Sequence, residues 1–312
     1  MEYRYLGNSG LQVSVVGLGC NNFGRRMDLE QTRAVVDRCF ELGVNFFDTA
    51  DVYGGAGRSE EFLGEALKGR RQEVVVATKF GMKMGEGPMQ AGGSRRWIMQ
   101  AVEDSLRRLG TDYIDLYQFH TPDPRTPIEE TMRAMDDLVK QGKVRYIGHS
   151  NFSGWQTAEA HYIAKYEGLT PFVSAQNEWS LLRRSVEHDL VPACGRFNVG
   201  VLPYFPLASG LLTGKYRRGE PAPEGTRLSF GPMAERWMTD RAFDTVEKLE
   251  DYAKQRGHTL LELAIGWLAS QPVVPSVIAG ATKPEQVEAN VAAAEWKLSA
   301  EELAEVDELT RR

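Results

Sequence analysis

Cysteine is scarce in this sequence, and long apolar runs, basic tracts and metal-binding motifs are missing. Cys20, Cys39 and Cys194 are the three cysteines among 312 residues, and no Cys-x-x-Cys pair occurs. An odd number of cysteines without such spacing argues against a disulfide framework and is typical of a reducing compartment. The sequence therefore predicts a cytoplasmic protein.

The other missing features exclude whole classes of function. No run approaches the roughly 18 apolar residues of a transmembrane helix, and the start MEYRYLGNSG lacks the apolar region of a secretory signal. Acidic residues outnumber basic ones by 43 to 37, and no basic tract suggests nucleic-acid binding. The histidines and cysteines show no metal-ligand spacing, and no Gly-x-Ser-x-Gly motif occurs. We therefore expect no membrane, nucleic-acid or metal partner.

What the sequence does contain is a repeated alternation of short apolar segments with longer amphipathic ones. Eight such strand–helix units predict a parallel sheet, and eight units favour a (β/α)8 TIM barrel, with an open doubly wound sheet as the alternative. We expect one domain covering residues 1–312. The predicted strands are Val15–Gly19, Val44–Asp48, Val74–Thr78, Ile114–Phe119, Val144–Ser150, Val173–Gln176, Gly200–Tyr204 and Val277–Ala279. The predicted helices are Leu29–Leu42, Ser59–Leu67, Arg95–Leu109, Ile128–Gln141, Gly154–Tyr166, Val186–Phe197, Ala242–Arg256, Leu260–Ser270 and Pro284–Ala294.

Three segments lie outside the repeat. Tyr3–Val15 predicts an N-terminal β-hairpin around the turn Asn8-Ser9-Gly10, placed to cap the bottom of the barrel. Leu207–Thr239 is rich in Gly, Pro and Arg and lacks periodicity, which predicts a long functional loop. Ser299–Thr310 predicts an extra C-terminal helix, because Ser299 is followed three residues later by Glu302.

Two glycine-rich segments resemble phosphate-binding motifs but do not match them. Gly17-Leu-Gly19 begins like a dinucleotide fingerprint, yet Asn22 stands where the third glycine belongs, so we interpret it as a tight strand-to-helix turn. Gly210 and Gly214 are separated by three residues instead of four, and Tyr216 replaces the Ser or Thr of a P-loop.

Polar residues end or follow three neighbouring predicted strands, and these carry the candidate chemistry. Asp48 ends the second strand, Tyr53 follows it, Lys79 follows the third strand and His120 follows the fourth. Each alone has an ordinary interpretation: a turn-capping acid, a rim tyrosine, a lysine reaching water, a rim histidine. Because the carboxyl ends of barrel strands share one mouth, we expect them to converge. Asp48 would then pair with Lys79, and Lys79 would lower the pKa of Tyr53, making it a general acid or base.

Four sequence motifs together resemble those of a known protein family. They are the segment Phe47-Asp48-Thr49-Ala50-Asp51-Val52-Tyr53-Gly54, the segment Ser59-Glu60-x-x-Leu63-Gly64, the tripeptide Ala77-Thr78-Lys79, and the segment Asp115-Leu116-Tyr117-Gln118-Phe119-His120. Over essentially its whole length the chain resembles the aldo-keto reductase superfamily, in the bacterial branch that also resembles voltage-gated potassium-channel β subunits. The resemblance implies an NADPH-dependent oxidoreductase that reduces an aldehyde or ketone. It implies Tyr53 as proton donor, with Lys79 and Asp48 as the groups that tune it. It implies His120 as an orienter of the substrate carbonyl or a second polariser of its oxygen.

The resemblance also implies where the cofactor binds. Ser150, Asn151, Gln176 and Tyr204 would contact the nicotinamide, although Ser150-Asn151 also has the pattern of a helix N-cap and Tyr204 that of a core-edge residue. Leu207–Gly210, Lys215 and Arg227 would hold the pyrophosphate, and Gly280–Gln286 with Asn290 the 2′-phosphate and adenine. Gln286 stands where some branches have Arg, and NADH is the less favoured alternative. The predicted cofactor contacts are Cys20, Asn21, Ser150, Asn151, Gln176, Tyr204, Phe205, Pro206, Leu207, Ser209, Gly210, Lys215, Arg227, Gly280, Thr282, Lys283, Gln286 and Asn290.

Two other functions are compatible with the same motifs. One is a nucleotide-sensing subunit of a larger assembly. The resemblance implies Asn, not His, at the fourth catalytic position of such channel-associated subunits, so His120 favours an enzyme. The other is a sugar dehydrogenase that runs the reaction backwards. The substrate pocket is expected from Cys20–Phe23, Phe80–Gly93 and Leu207–Thr239, a lining that admits sugars, aromatic aldehydes and quinone-like carbonyls. No sequence feature sets the oligomeric state.

Overall fold

The computed structural model describes residues 1–229 and 231–311. Phe230, inside the predicted Leu207–Thr239 loop, and Arg312, the last residue of the predicted domain, lie outside the described residues. Within the described ranges, none of the helices combines the length and apolar character that a membrane crossing needs.

Ten strands and twelve α-helices make up the described structure. The strands are β1 Tyr3–Tyr5, β2 Gln12–Ser14, β3 Val16–Gly19, β4 Phe46–Asp48, β5 Val75–Phe80, β6 Ile114–Phe119, β7 Val144–Ser150, β8 Phe172–Glu178, β9 Gly200–Tyr204 and β10 Val277–Gly280. The helices are α1 Leu29–Glu41, α2 Tyr53–Ala56, α3 Arg58–Ala66, α4 Arg95–Leu109, α5 Ile128–Lys140, α6 Gly154–Glu167, α7 Leu190–Phe197, α8 Pro232–Trp237, α9 Asp240–Gln255, α10 Leu260–Ala269, α11 Pro284–Ala293 and α12 Ala300–Thr310. Short 3-10 helices cover Arg71–Glu73, Ser185–His188 and Ala208–Thr213.

Strands β3 to β10 form one parallel sheet that curls into a nearly closed barrel. They pair in sequence order from β3 to β9, and β10 pairs with the outer edge of β3. Where β9 and β10 meet, the Val201 N–H donates to the carbonyl of Val273 just before β10, at 2.7 Å. The predicted (β/α)8 TIM barrel is therefore confirmed, and the open-sheet alternative is wrong.

The N-terminal hairpin covers one end of the barrel, as predicted. Its strands β1 and β2 pair antiparallel, with Arg4 opposite Val13. Leu6 and Val13 are fully buried against side chains from the barrel strands, including Phe46 and Leu116. Burying these apolar side chains seals the end of the barrel opposite the strand ends that carry the candidate site.

Several sequence-based boundaries need correction. The predicted helix Val186–Phe197 is a 3-10 turn followed by α7, because Pro192 lacks an N–H and fits only in the first turn of a helix. The predicted Leu207–Thr239 loop contains a 3-10 helix and α8. Gly17 lies inside β3, not in a turn: a Cβ there would meet the Phe46 ring at 2.8 Å, so glycine is required for close packing of the strands.

The additional C-terminal helix was predicted correctly, with its start signal. The Ser299 side chain accepts from the Glu302 N–H, and the Glu302 carboxylate accepts from the Ser299 N–H at 2.8 Å. This reciprocal pair satisfies amide groups that the first turn of a helix leaves free.

Candidate active site

The four candidate catalytic residues lie together at the carboxyl ends of β4, β5 and β6. A cavity of about 750 Å³ opens there. Asp48, Tyr53 and His120 line it, together with every residue predicted to contact the cofactor. Lys79 is fully buried beneath the cavity floor. Parallel strands that end at one edge bring these distant residues together, as the sequence predicts.

Asp48 and Lys79 form a buried ion pair. The Lys79 ammonium donates to Asp48 Oδ2 at 2.7 Å and to the Thr49 carbonyl at 2.8 Å. The Gln176 and Gln118 amides donate to Asp48 Oδ1 at 2.8 and 3.2 Å. Burial disfavours the charged form of Lys79, but the adjacent Asp48 carboxylate favours it, and the pKa of Lys79 is raised. Asp48 therefore anchors the lysine as a cation, and no turn-capping role is needed for it.

Tyr53 lies between that cation and His120. The Lys79 ammonium is 5.1 Å from the centre of the Tyr53 ring, and the His120 ring meets Tyr53 edge to face, with centroids 5.7 Å apart. Burial raises the pKa of Tyr53 above its usual 10, although Lys79 acts in the opposite direction. Lys79 has the predicted lowering effect on the pKa of Tyr53, but removing the phenol from water has a larger effect, so the net pKa is raised. Tyr53 therefore keeps its proton at neutral pH.

His120 is a neutral imidazole in the same wall. Burial, aided by Lys79, lowers the pKa of His120 to about 3. Its Nδ1 is buried and has no hydrogen-bond partner among the residues the structure describes. Its backbone carbonyl accepts from the Asn151 side chain at 2.9 Å, which ties this wall to the end of β7.

The predicted nicotinamide contacts form a connected network. Ser150 Oγ donates to the backbone carbonyl of Gln176 at 2.7 Å, and the Tyr204 hydroxyl donates to Asn151 Oδ1 at 2.9 Å. Ser153, three residues further on, caps α6, so the alternative of Ser150-Asn151 as the cap is wrong. Because the side-chain amide nitrogen of Gln176 donates to Asp48, the side-chain Oε1 of Gln176 is the part left for a ligand.

The backbone after β9 turns repeatedly into the left-handed region. Phe205, Ala208, Ser209 and Gly210 have φ values of 52°, 47°, 59° and 97°. Ser209 Oγ is buried without a hydrogen-bond partner in the described structure, although its residue lines the cavity. Successive residues in the left-handed region are typical of anion-binding loops.

The far end of the cavity is basic. Arg227, Lys215 and Lys283 all line it, and none forms an ion pair with a carboxylate in residues 1–229 and 231–311. Burial, with Arg26 and Arg25 nearby, lowers the pKa of Arg227. Cations gathered without acidic partners indicate that this end receives an anion.

Two arginines at this end form hydrogen bonds between the loop after β3 and the segment after β9. Arg227 donates to Asn22 Oδ1 at 3.0 Å, and Arg26 donates to the Gly225 carbonyl at 3.3 Å. Both contacts connect the loop after β3 with the segment after β9 across the cavity. At the start of α11, Gln286 Oε1 accepts from the Thr282 N–H at 2.7 Å, which leaves its amide nitrogen for a ligand.

Sequence reasoning missed part of the lining and misplaced another part. Phe23, expected in the substrate pocket, is fully buried in the core, and the Phe80–Gly93 loop contributes nothing to the lining of this cavity. Gln118 is a missed partner of Asp48, although it lies near the carboxyl end of β6, as Gln176 does in β8. The cavity-lining residues outside every predicted site or pocket segment are Gly19, Arg26, Leu261, Ile278 and Ala289.

The barrel and the strand-end cluster around one cavity define an enzyme of the (β/α)8 class. The profile of the Aldo/keto reductase family matches residues 15–311. The chain belongs to the aldo-keto reductase family and is an oxidoreductase of carbonyl compounds.

Similar proteins carry names of two kinds. The chain is 40% identical over 301 residues to a probable voltage-gated potassium channel subunit beta of Oryza sativa subsp. japonica, covering 94% of this chain and 91% of that one. It is 35% identical over 321 residues to L-glyceraldehyde 3-phosphate reductase of Escherichia coli (strain K12), covering 99% and 92%. It is 33% identical over 334 residues to versiconal hemiacetal acetate reductase of Aspergillus parasiticus, covering 99% and 96%.

Proposed function

We propose that this protein reduces an aldehyde or ketone with NADPH, that Tyr53 donates the proton, and that residues 1–312 act as one domain. The observation that carries the proposal is the Tyr53 phenol at the cavity wall, beside the buried Lys79–Asp48 ion pair and the His120 ring. A proton donor and two orienting groups on one wall meet the requirements of carbonyl reduction.

The residues around the cavity fit a dinucleotide. The amide and hydroxyl groups of Ser150, Asn151 and Gln176 lie at the end near Tyr53, where a carboxamide would be recognised. Lys215, Arg227 and the backbone around Ser209 suit a pyrophosphate, and Lys283 at the start of α11 suits a further phosphate.

In this proposal the bound reduced nicotinamide supplies the hydride, and the protein supplies the proton and the geometry. His120 and Tyr53 orient the carbonyl oxygen of the substrate. The Tyr53 hydroxyl gives that oxygen its proton as negative charge develops. Lys79, held as a cation by Asp48, stabilises the phenolate left behind, because an adjacent positive charge favours the charged form.

The direct test is a panel of carbonyl compounds with purified protein, following the disappearance of NADPH absorbance. The panel should contain simple and aromatic aldehydes, open-chain sugars, quinones and L-glyceraldehyde 3-phosphate, the compound in the name of one relative. We expect turnover with at least one class, and faster turnover with NADPH than with NADH. A panel without any carbonyl-dependent oxidation of NADPH contradicts the proposal.

Lys283 should set the preference for NADPH. Its ammonium lines the cavity at the start of α11, and we propose that it contacts the 2′-phosphate. A charge-assisted contact of ~1.5–3 kcal/mol corresponds to roughly ten- to hundredfold in affinity. Lys283→Ala should therefore weaken NADPH binding by that factor and leave NADH nearly unchanged, as measured by fluorescence titration. Equal losses for both cofactors would place the 2′-phosphate elsewhere.

Turnover should not depend on a metal. Across residues 1–229 and 231–311, no group of three or more His, Cys, Asp or Glu could hold a metal ion. We expect the rate of NADPH oxidation to survive prolonged treatment with excess EDTA. A loss that added zinc restores is the result that speaks against the proposed chemistry.

His120 should act as a neutral group across the physiological range. Because its pKa is about 3 against an ordinary 6.5, the folded state prefers the neutral imidazole. That preference contributes stability in full above pH 6.5 and loses it as the pH falls toward 3. Between about pH 5 and 8 we expect kcat/KM to show no ionisation from His120. An acidic limb near pH 6.5 that disappears in His120→Gln would show the histidine titrating.

A second candidate function comes from the relatives named as potassium channel subunits. A role as an accessory subunit needs nucleotide binding but no turnover. Binding of NADPH with normal affinity, combined with no reduction of any carbonyl, is the outcome that favours this alternative.

A further inference from the structure

The outer face of α6 carries large aromatic side chains that are open to solvent. Trp155, Tyr162 and Tyr166 are 65%, 41% and 79% exposed. The buried residues of the same helix are small, namely Gly154, Thr157, Ala160 and Ala164. A surface helix normally turns its apolar bulk toward the core, and α6 does the reverse. Aromatic side chains gathered on one exposed face are typical of a contact between proteins.

These exposed residues follow one line along the helix. Trp155, Tyr162 and the half-buried Leu169 recur at intervals of seven residues, which keeps them on one side of a helix. Spacings of three and four residues bring four more positions to the same side. We call the full set the α6 stripe: Trp155, Ala158, Glu159, Tyr162, Lys165, Tyr166 and Leu169. No member of the stripe is among the described residues that line the cavity around Tyr53.

The aromatic part of the stripe is held in place by its neighbours. The Tyr162 ring is nearly parallel to the Tyr166 ring, with centroids 6.0 Å apart, and it meets the ring of Phe197 on α7 edge to face at 5.7 Å. Tyrosine and tryptophan side chains have few rotatable bonds, so burying them in a contact costs little conformational entropy. The stripe is therefore a preformed surface.

Two opposite charges lie symmetrically about Tyr162. Glu159 comes three residues before it and Lys165 three residues after it. Both side chains are exposed, and neither forms an ion pair within the part of the chain that the structure describes. An antiparallel second copy of α6, centred on Tyr162, brings Glu159 of each copy against Lys165 of the other. A parallel copy would place like charges together, which is unfavourable.

The remaining positions of the stripe match under the same symmetry. At four steps from Tyr162, the small Ala158 stands opposite the large exposed ring of Tyr166. At seven steps, Trp155 stands opposite Leu169, so two apolar side chains meet. Tyr162 meets itself on the two-fold axis. Because every off-axis pair of an isologous contact occurs twice, the contact contains two Glu159–Lys165 pairs.

We propose that this protein forms a two-fold dimer in which the α6 stripes of two copies pack antiparallel. Burial of the aromatic rings supplies the attraction, and the two ion pairs set the register and direction of the helices. The dimer does not depend on the proposed reductase activity, because the stripe and the cavity are separate sets of residues.

Sedimentation equilibrium of the full-length protein over a range of concentrations tests the proposal. The wild type should show a reversible monomer–dimer equilibrium. Glu159→Lys and Lys165→Glu each place two like-charge pairs in the contact, so each should raise the Kd of the dimer about tenfold or more. Glu301→Lys, the same change at an exposed position of α12, should leave the Kd unchanged. Circular dichroism checks that the variants fold, and the measurement on the wild type stands without them.

An equimolar mixture of Glu159→Lys and Lys165→Glu is the sharper test. In a mixed dimer the two introduced side chains face each other, and so do the two native ones, so both pairs are attractive again. The mixture should therefore regain the affinity of the wild type, although each variant alone dimerises weakly. Three results overturn the proposal: a wild type that stays monomeric at every concentration, an assembly of any size that the charge reversals leave unchanged, and a mixture no tighter than the single variants.

Discussion

Replacing Tyr53 by Phe should lower turnover by about 10²- to 10⁴-fold, the usual contribution of a general acid. The substitution removes the hydroxyl and keeps the ring, so the edge-to-face contact with His120 and the approach of the Lys79 ammonium can persist. We therefore expect a normal fold and normal NADPH affinity. Steady-state kinetics with the best panel substrate, combined with fluorescence titration of NADPH, separates the two effects.

Tyr252→Phe is the matched control for this variant. It makes the same chemical change on α9, where the Tyr252 hydroxyl donates to Glu305 at 2.7 Å outside the cavity. Its turnover should stay near that of the wild type. If Tyr53→Phe also keeps most of its turnover, the proton comes from another group, and the role assigned to Tyr53 is wrong.

Replacing Lys79 by Met should abolish turnover and lower the free energy of unfolding. Lys79 is fully buried, and its loss leaves the Asp48 carboxylate, itself 3% exposed, with only the Gln118 and Gln176 amides as donors. Removing one partner of a buried ion pair costs about 3–5 kcal/mol, because the other charge stays behind uncompensated. Urea unfolding followed by circular dichroism measures the loss.

A double variant distinguishes the effect of the unpaired charge on stability from the effect of lost packing. Asp48→Asn combined with Lys79→Met removes both charges, so it should recover a large part of the stability lost by Lys79→Met alone. It should not recover turnover, because the proposed cation beside Tyr53 is absent. A double variant as unstable as Lys79→Met would mean that packing, not the unpaired carboxylate, dominates the cost.

The sequence predicts the barrel and the convergence of the four catalytic candidates because both follow from the order of the strands. Asp48, Lys79 and His120 end or follow parallel strands, and such strands open toward one mouth whatever the details of packing. The pairing of Asp48 with Lys79 also follows, since neither charge is stable alone when buried. These inferences need only strand order and the cost of burying charge.

Other features depend on how deeply a side chain is buried and on the backbone conformation that tertiary packing imposes, and no local sequence pattern encodes these. The sign of the pKa shift of Tyr53 depends on how far burial outweighs Lys79, and that balance needs coordinates. The left-handed backbone at Ala208 and Ser209 is held by tertiary contacts, since neither residue type favours it. The Arg26 contact across the cavity joins residues 199 positions apart. Long-range packing thus decides what periodicity and motifs leave open.

Transfer of deuterium tests the central claim most directly. NADPH that carries deuterium on one face of the nicotinamide C4 position is mixed with the protein and the best panel carbonyl, and the alcohol is analysed by mass spectrometry. One cavity holding both partners in fixed orientation should place deuterium on the carbinol carbon from one face-labelled form of the cofactor and not from the other. Alcohol without deuterium from either form, or deuterium from both forms equally, contradicts the account.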